Sequence, residues 1–240
     1  MKHNTLNTHN LGLLWTLAGT AFDGFKEGKG YFVSLVENSE WPNRIWVNKK
    51  LTPELMTSVI SEMKANNQIT FSHFNENKSE TSLLEGSELQ LKSLQYGMSL
   101  PLNSKFIIER TLTLDRVDSL VKAKLWSRAF KEAFQYNISS QTIVKTCDAI
   151  AYYLVKQEDT LVGTIILFGS NNTIGIHSLG IIPSQRKKGY AKEIMHHVLN
   201  MAIDKNYDLA TLQASEMARQ MYAKMGFSLD FMMENYILKQ

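Results

Sequence analysis

The sequence predicts an α/β protein built on a sheet of mixed strand direction, and three observations carry that expectation. Strand-patterned and helix-patterned segments alternate through the C-terminal part. Two apolar runs, Ala151 to Val155 and Leu161 to Phe168, are separated only by the polar turn Gln157-Glu158-Asp159-Thr160, which implies an antiparallel hairpin. After Pro183, the residues Ala191, Ile194, Met195, Val198, Leu199 and Ala202 recur at the 3.6-residue period of a long amphipathic helix.

The remaining elements follow in order. Leu11, Leu14, Trp15, Ala18, Phe22 and Phe25 recur at helical spacing. Their run is too short for the ~20 apolar residues of a membrane span and lacks the basic flank and cleavage site of a leader. Lys105 to Leu112 reads as a strand, and Leu114 to Phe134 as a helix with Thr113 as its cap. Ser139 and Ser140 open another helix through Ile143 and Val144. Thr173 to Ile182 is a strand leading to the Pro183 turn. His196 and His197 fall mostly off the apolar face of the long helix and are expected in solvent. Leu209 to Leu212 is a strand, Glu216 to Lys224 a short helix, and Phe227 to Leu238 closes the sheet.

The first part of the chain is less regular but carries a repeat. A shift of 140 residues places Leu55, Val59 and Met63 on Met195, Leu199 and Ile203, and Ile69 on Leu209. It also places Gly86 on Gly226, Tyr96 on Tyr236 and Met98 on Leu238. Helix, strand, glycine turn and closing strand therefore recur in one order. The boundary between halves is expected at Pro101 to Ser104.

Composition narrows the function classes. An apolar fraction of 44% and a charged fraction of 20% are ordinary for a globular protein. A formal charge of +3 accommodates an anionic ligand but does not mark a nucleic-acid or membrane binder. Cys147 is the only cysteine, so no intrachain disulfide and no cysteine-based zinc cluster can form. It reads as a small buried hydrophobe, and a reducing cytoplasm is the expected setting.

The segment from Leu179 to Ala191 carries the strongest signal. It ends a strand, turns through Pro183 and opens the long helix, with Arg186-x-x-Gly189-x-Ala191 at the turn. Gly189 permits close approach and unusual torsions. The helix behind it offers free N–H groups and the positive end of its dipole, a combination suited to a pyrophosphate. Arg186, Lys187 and Lys188 add cations where the helix dipole disfavours them unless an anion compensates.

In this the sequence resembles the GNAT superfamily of acyl-CoA-dependent N-acetyltransferases, whose signature is Gln/Arg-x-x-Gly-x-Gly/Ala between a strand and a helix. The resemblance covers Lys105 to the C-terminus. It implies that the backbone of Leu179, Gly180 and Ile181 pairs with the pantetheine arm of acetyl-CoA, and that the loop Gln185, Arg186, Lys187, Lys188, Gly189, Tyr190 and Ala191 holds the pyrophosphate. A second stretch, Tyr222-Ala-Lys-Met-Gly226-Phe227, is similar to the family's Tyr-x-x-x-Gly-Phe helix, whose tyrosine protonates the departing thiolate. Ser215 and Glu216 stand where many relatives have an asparagine, which leaves cofactor positioning from that helix open.

Direct transfer also needs a base for the acceptor amine. His177, on the strand before the loop, titrates in the right range and is the candidate, ahead of Glu158 in its turn. The first half has Lys49 opposite Gly189 and Ser82 opposite Tyr222, so it lacks both the glycine and the phenol. The expectation is a degenerate GNAT-like domain without cofactor site at 1–103, whose Trp41, Trp46, Phe71 and Phe74 either line a cleft or pack a core. A GNAT domain follows at 104–240. The expected activity is acetyl transfer from acetyl-CoA to a primary amine of a small molecule or peptide, with no nucleic acid, membrane or metal involved and a homodimer allowed. The rival is a silent acyl-CoA sensor.

Overall fold

In a computed structural model of the chain, residues 2–47, 49–75 and 81–239 are described. They form two compact units, Ser99–Leu212 and Met1–Met98 with Gln213–Gln240.

The Ser99–Leu212 unit holds β6 (Thr113–Arg116), α4 (Leu120–Phe134), α5 (Ser140–Thr146), β7 (Ala151–Gln157), β8 (Thr160–Ser170), β9 (Thr173–Ile181) and α6 (Tyr190–Asp204), and most of β10 (Leu209–Ala214). Its strands lie in the order β10-β9-β8-β7-β6. The hairpin expected around Glu158 is present, with β7 and β8 antiparallel and Gln157 opposite Thr160. β8 and β9 are also antiparallel, whereas β9 and β10 are parallel, with Thr173 to Gly175 opposite Leu209 to Thr211. Parallel strands cannot share a tight turn, and α6 makes the crossover.

The helices form for local reasons. Ser119 caps α4 by accepting the Lys122 N–H (3.4 Å), so the expected Thr113 cap is displaced, and Thr113 lies in β6 instead. Ala123, Trp126, Ala129 and Phe130 form the buried face of α4, with the Trp126 and Phe130 rings stacked at 5.0 Å. Its last turn presses on β9 at Gly180. A Cβ there would lie 2.4 Å from a Phe134 ring carbon and 2.9 Å from the Ala133 Cβ, so only glycine fits. Ser139 caps α5 as expected, accepting from Thr142 N (3.1 Å). Cys147, at the end of α5, is half-buried rather than buried, and its Sγ donates to the Val144 carbonyl (3.4 Å).

The strand expected at Lys105 to Leu112 does not form. This segment joins no ladder, and polar side chains of α6 satisfy its backbone instead. Glu193 accepts the N–H groups of Glu109 (2.8 Å) and Arg110 (3.0 Å). His196 Nδ1 donates to the Ile107 carbonyl (2.9 Å), and His197 Nε2 to that of Arg110 (2.7 Å). Asn200 both accepts from Phe106 N (2.7 Å) and donates to Phe106 O (2.8 Å). His196 is therefore buried, 8% exposed, and stacked on Phe106, contrary to the solvated position expected for it, and His197 is likewise engaged.

The other unit contains α1 (His3–Thr20), β1 (Phe25–Glu27), β2 (Tyr31–Ser34), β3 (Arg44–Val47), α2 (Pro53–Ala65), β4 (Thr70–Asn75), α3 (Thr81–Glu85) and most of β5 (Leu89–Pro101), followed from the chain's other end by α7 (Glu216–Lys224) and β11 (Ser228–Leu238). Strand order is β1-β2-β3-β4-β11-β5. β1, β2 and β3 form an antiparallel meander. β3 and β4 are parallel across the α2 crossover, and β4 pairs antiparallel with β11, Phe71 opposite Tyr236. Thr52 caps α2 (Leu55 N, 3.2 Å) ahead of Pro53, and Leu55, Met56, Val59 and Met63 pack on Ile45, Ile69 and Phe71. Trp41, Trp46 and Phe71 are buried, and Phe74 stacks on Trp15, so these aromatics serve the core.

Helix α1 is an integral part of this unit. Leu11, Leu14, Trp15 and Ala18 are buried as its spacing predicts, and Ser34 Oγ donates to the Trp15 carbonyl (2.7 Å). Asn7 is fully buried and ties three segments together. It donates to Met98 O (3.1 Å) and Asp230 Oδ2 (3.0 Å) and accepts from Gln213 Nε2 (2.7 Å). Asn7→Leu would strand those groups and should cost about 2–4 kcal/mol in chemical denaturation, since an unpaired buried polar partner carries its full desolvation penalty.

Candidate active site

The strand that feeds the loop is irregular where the cofactor contacts are expected. Thr164 of β8 faces Gly180, but Ile166 faces His177, so β9 holds one residue more than β8 across that interval. Ser178 sits at φ +53° in this bulge. The parallel ladder with β10 covers Thr173 to Gly175, while β9 continues through half-buried Leu179, buried Gly180 and half-buried Ile181. His177, 8% exposed, is the residue immediately before the bulge.

Beyond Ile181 the chain makes a 3-10 turn at Pro183–Gln185, and α6 begins only at Tyr190, several residues later than a helix starting at Pro183 would. Gly189 is the N-cap at φ +83° and offers no side chain to the first turn. The first intrahelical bond runs from Glu193 N to Gly189 O (3.3 Å), so the N–H groups of Tyr190, Ala191 and Lys192 are the open donors of that turn. A Cβ built on Gly189 would meet nothing nearer than an Arg110 nitrogen at 4.0 Å, so the space before the loop is open. An anion accepting these amides fits both the torsion and the dipole.

The side chains of the loop divide by task. Arg186 spends its guanidinium on backbone, donating to Ile181 O (3.2 Å) and to Ala133 O (2.8 Å) at the end of α4. Lys188 Nζ donates to Gln185 Oε1 (2.9 Å), and the Tyr190 hydroxyl to Gln157. Among the described residues Lys187 has no such partner and is exposed at φ +61°. Arg110 was not foreseen as a site residue, because its segment read as a strand. Its Nη1 donates to the Lys188 carbonyl (2.7 Å), and its guanidinium carbon lies 5.3 Å from the Tyr190 ring centroid.

Tyr222 belongs to the other unit. It is the buried residue of α7, 7% exposed, and its ring meets Phe227 edge-on at 5.7 Å. Among the described residues its hydroxyl has no hydrogen-bond partner, unlike a core tyrosine that finds a carbonyl. Burial alone pushes its pKa up to about 12, so the phenol keeps its proton throughout the neutral range. Helix α7 itself is anchored through Glu216, which accepts from the Tyr96 hydroxyl, and through Arg219, whose guanidinium carbon lies 4.4 Å from the Tyr96 ring centroid.

Residues 120–227 match the family described as the acetyltransferase (GNAT) family. The matched segment runs from α4 to the glycine turn after α7, and several solved structures share the fold of the chain. A GCN5-related N-acetyltransferase from Kribbella flavida is similar over 98% of this chain and 95% of its own, with a TM-score of 0.71 at 12% identity. A functionally unknown conserved protein from Staphylococcus epidermidis is 18% identical, with a TM-score of 0.62 over 90% of this chain and 93% of its own. A tandem GNAT protein from the clavulanic acid biosynthesis pathway is 10% identical, with a TM-score of 0.56 over 86% of this chain and 77% of its own. At these identities the likeness is one of fold. No curated protein matches the chain in sequence. Among the described residues no helix is long and apolar enough to cross a membrane, and no group of three or more His, Cys, Asp or Glu is placed to hold a metal.

Two outcomes test these placements. Glu193→Ala leaves the Glu109 and Arg110 N–H groups unpaired, and should cost roughly 2–3 kcal/mol and speed amide exchange at those two residues. For Tyr222 the folded pKa lies above the unfolded value near 10. The unfolded chain therefore loses this proton first, and the resulting stability, present below about pH 10, is lost as pH rises towards 12. Tyr222→Phe should flatten that part of the alkaline unfolding curve.

Proposed function

We propose that this protein transfers an acetyl group from acetyl-CoA to a primary amine of a small molecule or peptide, by direct attack in a ternary complex. The observation that carries the reading is the glycine-capped first turn of α6, with its open amides and a positive-φ N-cap, placed directly after a bulged strand in a GNAT domain. In this reading the loop from Gln185 to Ala191 holds the pyrophosphate through backbone N–H groups, and Leu179, Gly180 and Ile181 align the pantetheine arm.

The amine nitrogen attacks the thioester carbonyl carbon, the C–S bond breaks, and the amine's proton passes to a base while the thiolate takes one from an acid. Tyr222 is the acid, and its protonated, unpartnered hydroxyl supports that role. A phenol near 12 is a weak donor to a thiolate, but a thiolate expelled into low-dielectric surroundings is itself raised. His177 is the base, directly or through water.

We further propose that residues 1–103 are a degenerate GNAT-like domain without a cofactor site, preceding a GNAT domain at 104–240. Two resemblances between the halves support this. Each contains a parallel pair of strands joined by a crossover helix, β3-α2-β4 and β9-α6-β10, and Leu55 and Val59 are buried like Met195 and Leu199 at the same shift.

Release of CoA thiol from acetyl-CoA, followed across a panel of amines, tests the activity. Tyr222→Phe should lower turnover about a hundredfold or more with acetyl-CoA affinity nearly unchanged. Acetyl-CoA binding without turnover on any amine would identify a sensor, and no binding at all would end the reading.

A further inference from the structure

The segment before β6 does more than pack on α6. Its Arg110 is fixed at every level. The main-chain N–H is held by Glu193 (3.0 Å) and the carbonyl by His197 (2.7 Å), both from α6. The side chain lies over the Tyr190 ring and donates through Nη1 to the carbonyl of Lys188, the residue before the N-cap glycine. A guanidinium has five N–H donors and stays charged at all accessible pH, and this bond uses one of them. Nη2 lies 4.0 Å from the point where a Gly189 Cβ would stand. No carboxylate pairs with Arg110 among the described residues, although the neighbouring Glu109 lies within 3.5 Å of Lys192. A fixed, exposed cation is thus held beside the loop.

We propose that Arg110 forms a phosphate subsite separate from the backbone cradle, and that it binds the 3′-phosphate of the cofactor's nucleotide. This rests on the acyl-CoA reading above. The pyrophosphate is assigned to amides of the first turn of α6, and Arg110 is held beside that turn by the Lys188 carbonyl and the Tyr190 ring, a second phosphate-binding group next to the first. A CoA thioester carries one other phosphate, a monoester close to doubly charged at neutral pH, which a planar guanidinium recognises in bidentate fashion. Of the loop's own cations, Arg186 and Lys188 are engaged with protein oxygens, and exposed Lys187 offers a point charge without the planar fork of a guanidinium.

The test compares binding of acetyl-CoA and its 3′-dephospho analogue to the full chain by titration calorimetry at low salt. Wild type should prefer acetyl-CoA by about tenfold or more, and Arg110→Ala should lose that preference while binding the dephospho analogue as wild type does. Arg110→Gln keeps a donor for the Lys188 carbonyl without the charge, and should behave like the alanine variant even if the latter folds poorly. Equal weakening towards both ligands, or unchanged discrimination in Arg110→Gln, would overturn the proposal. Wild type binding neither ligand would instead overturn the acyl-CoA reading beneath it.

Discussion

Two parallel neighbours cannot be joined by a hairpin, and that constraint organises the region around the candidate site. Leaving β9, the chain must rise from the sheet, run back as α6 and re-enter as β10. The turn between strand and helix therefore falls at the C-terminal end of β9, with the first turn of α6 presenting donors that nothing in the helix can accept. Gly189 leaves those donors open where a serine or aspartate would have capped them. The bulge at Ser178 and the absence of a side chain at Gly180 let the same strand end lie beneath α4.

The rest of the unit steadies that turn. Arg186 binds carbonyls of β9 and α4, while Arg110 binds the loop from the opposite segment. Glu193, His196, His197 and Asn200 act as a row of side-chain partners for a backbone that no strand pairs. Backbone N–H and C=O groups need partners, and here one helix supplies them to its neighbour through side chains at i, i+3, i+4 and i+7.

Much of this was legible in the sequence. The apolar period of α6, the turn at Glu158 and the glycine of the loop are local signals, and local signals survive into the fold. What misled was the segment 105–112, where Phe106, Ile107 and Ile108 have strand chemistry. Its fate was set by which polar groups α6 offered it, and spacing along either segment alone does not reveal that pairing. His196 and His197 were misplaced for the same reason, since a residue off the apolar face can be covered by another stretch of chain. Arg110 had no motif to announce it. By contrast, Ser119 in place of Thr113 was an ambiguity between two good capping residues a short distance apart.

The membership of the last strand has a consequence for how the protein is made. Asn75 at the end of β4 pairs with Met232 of β11, and Asn7 near the start of the chain waits for Gln213 and Asp230. At translation rates of 5–20 residues per second, β4 emerges roughly 10–30 s before its neighbour. During that interval its free edge is a template for any other extended chain. This unit is thus completed only by β11, made after the whole Ser99–Leu212 unit, so a nascent chain stalled before β11 carries an open β4 edge.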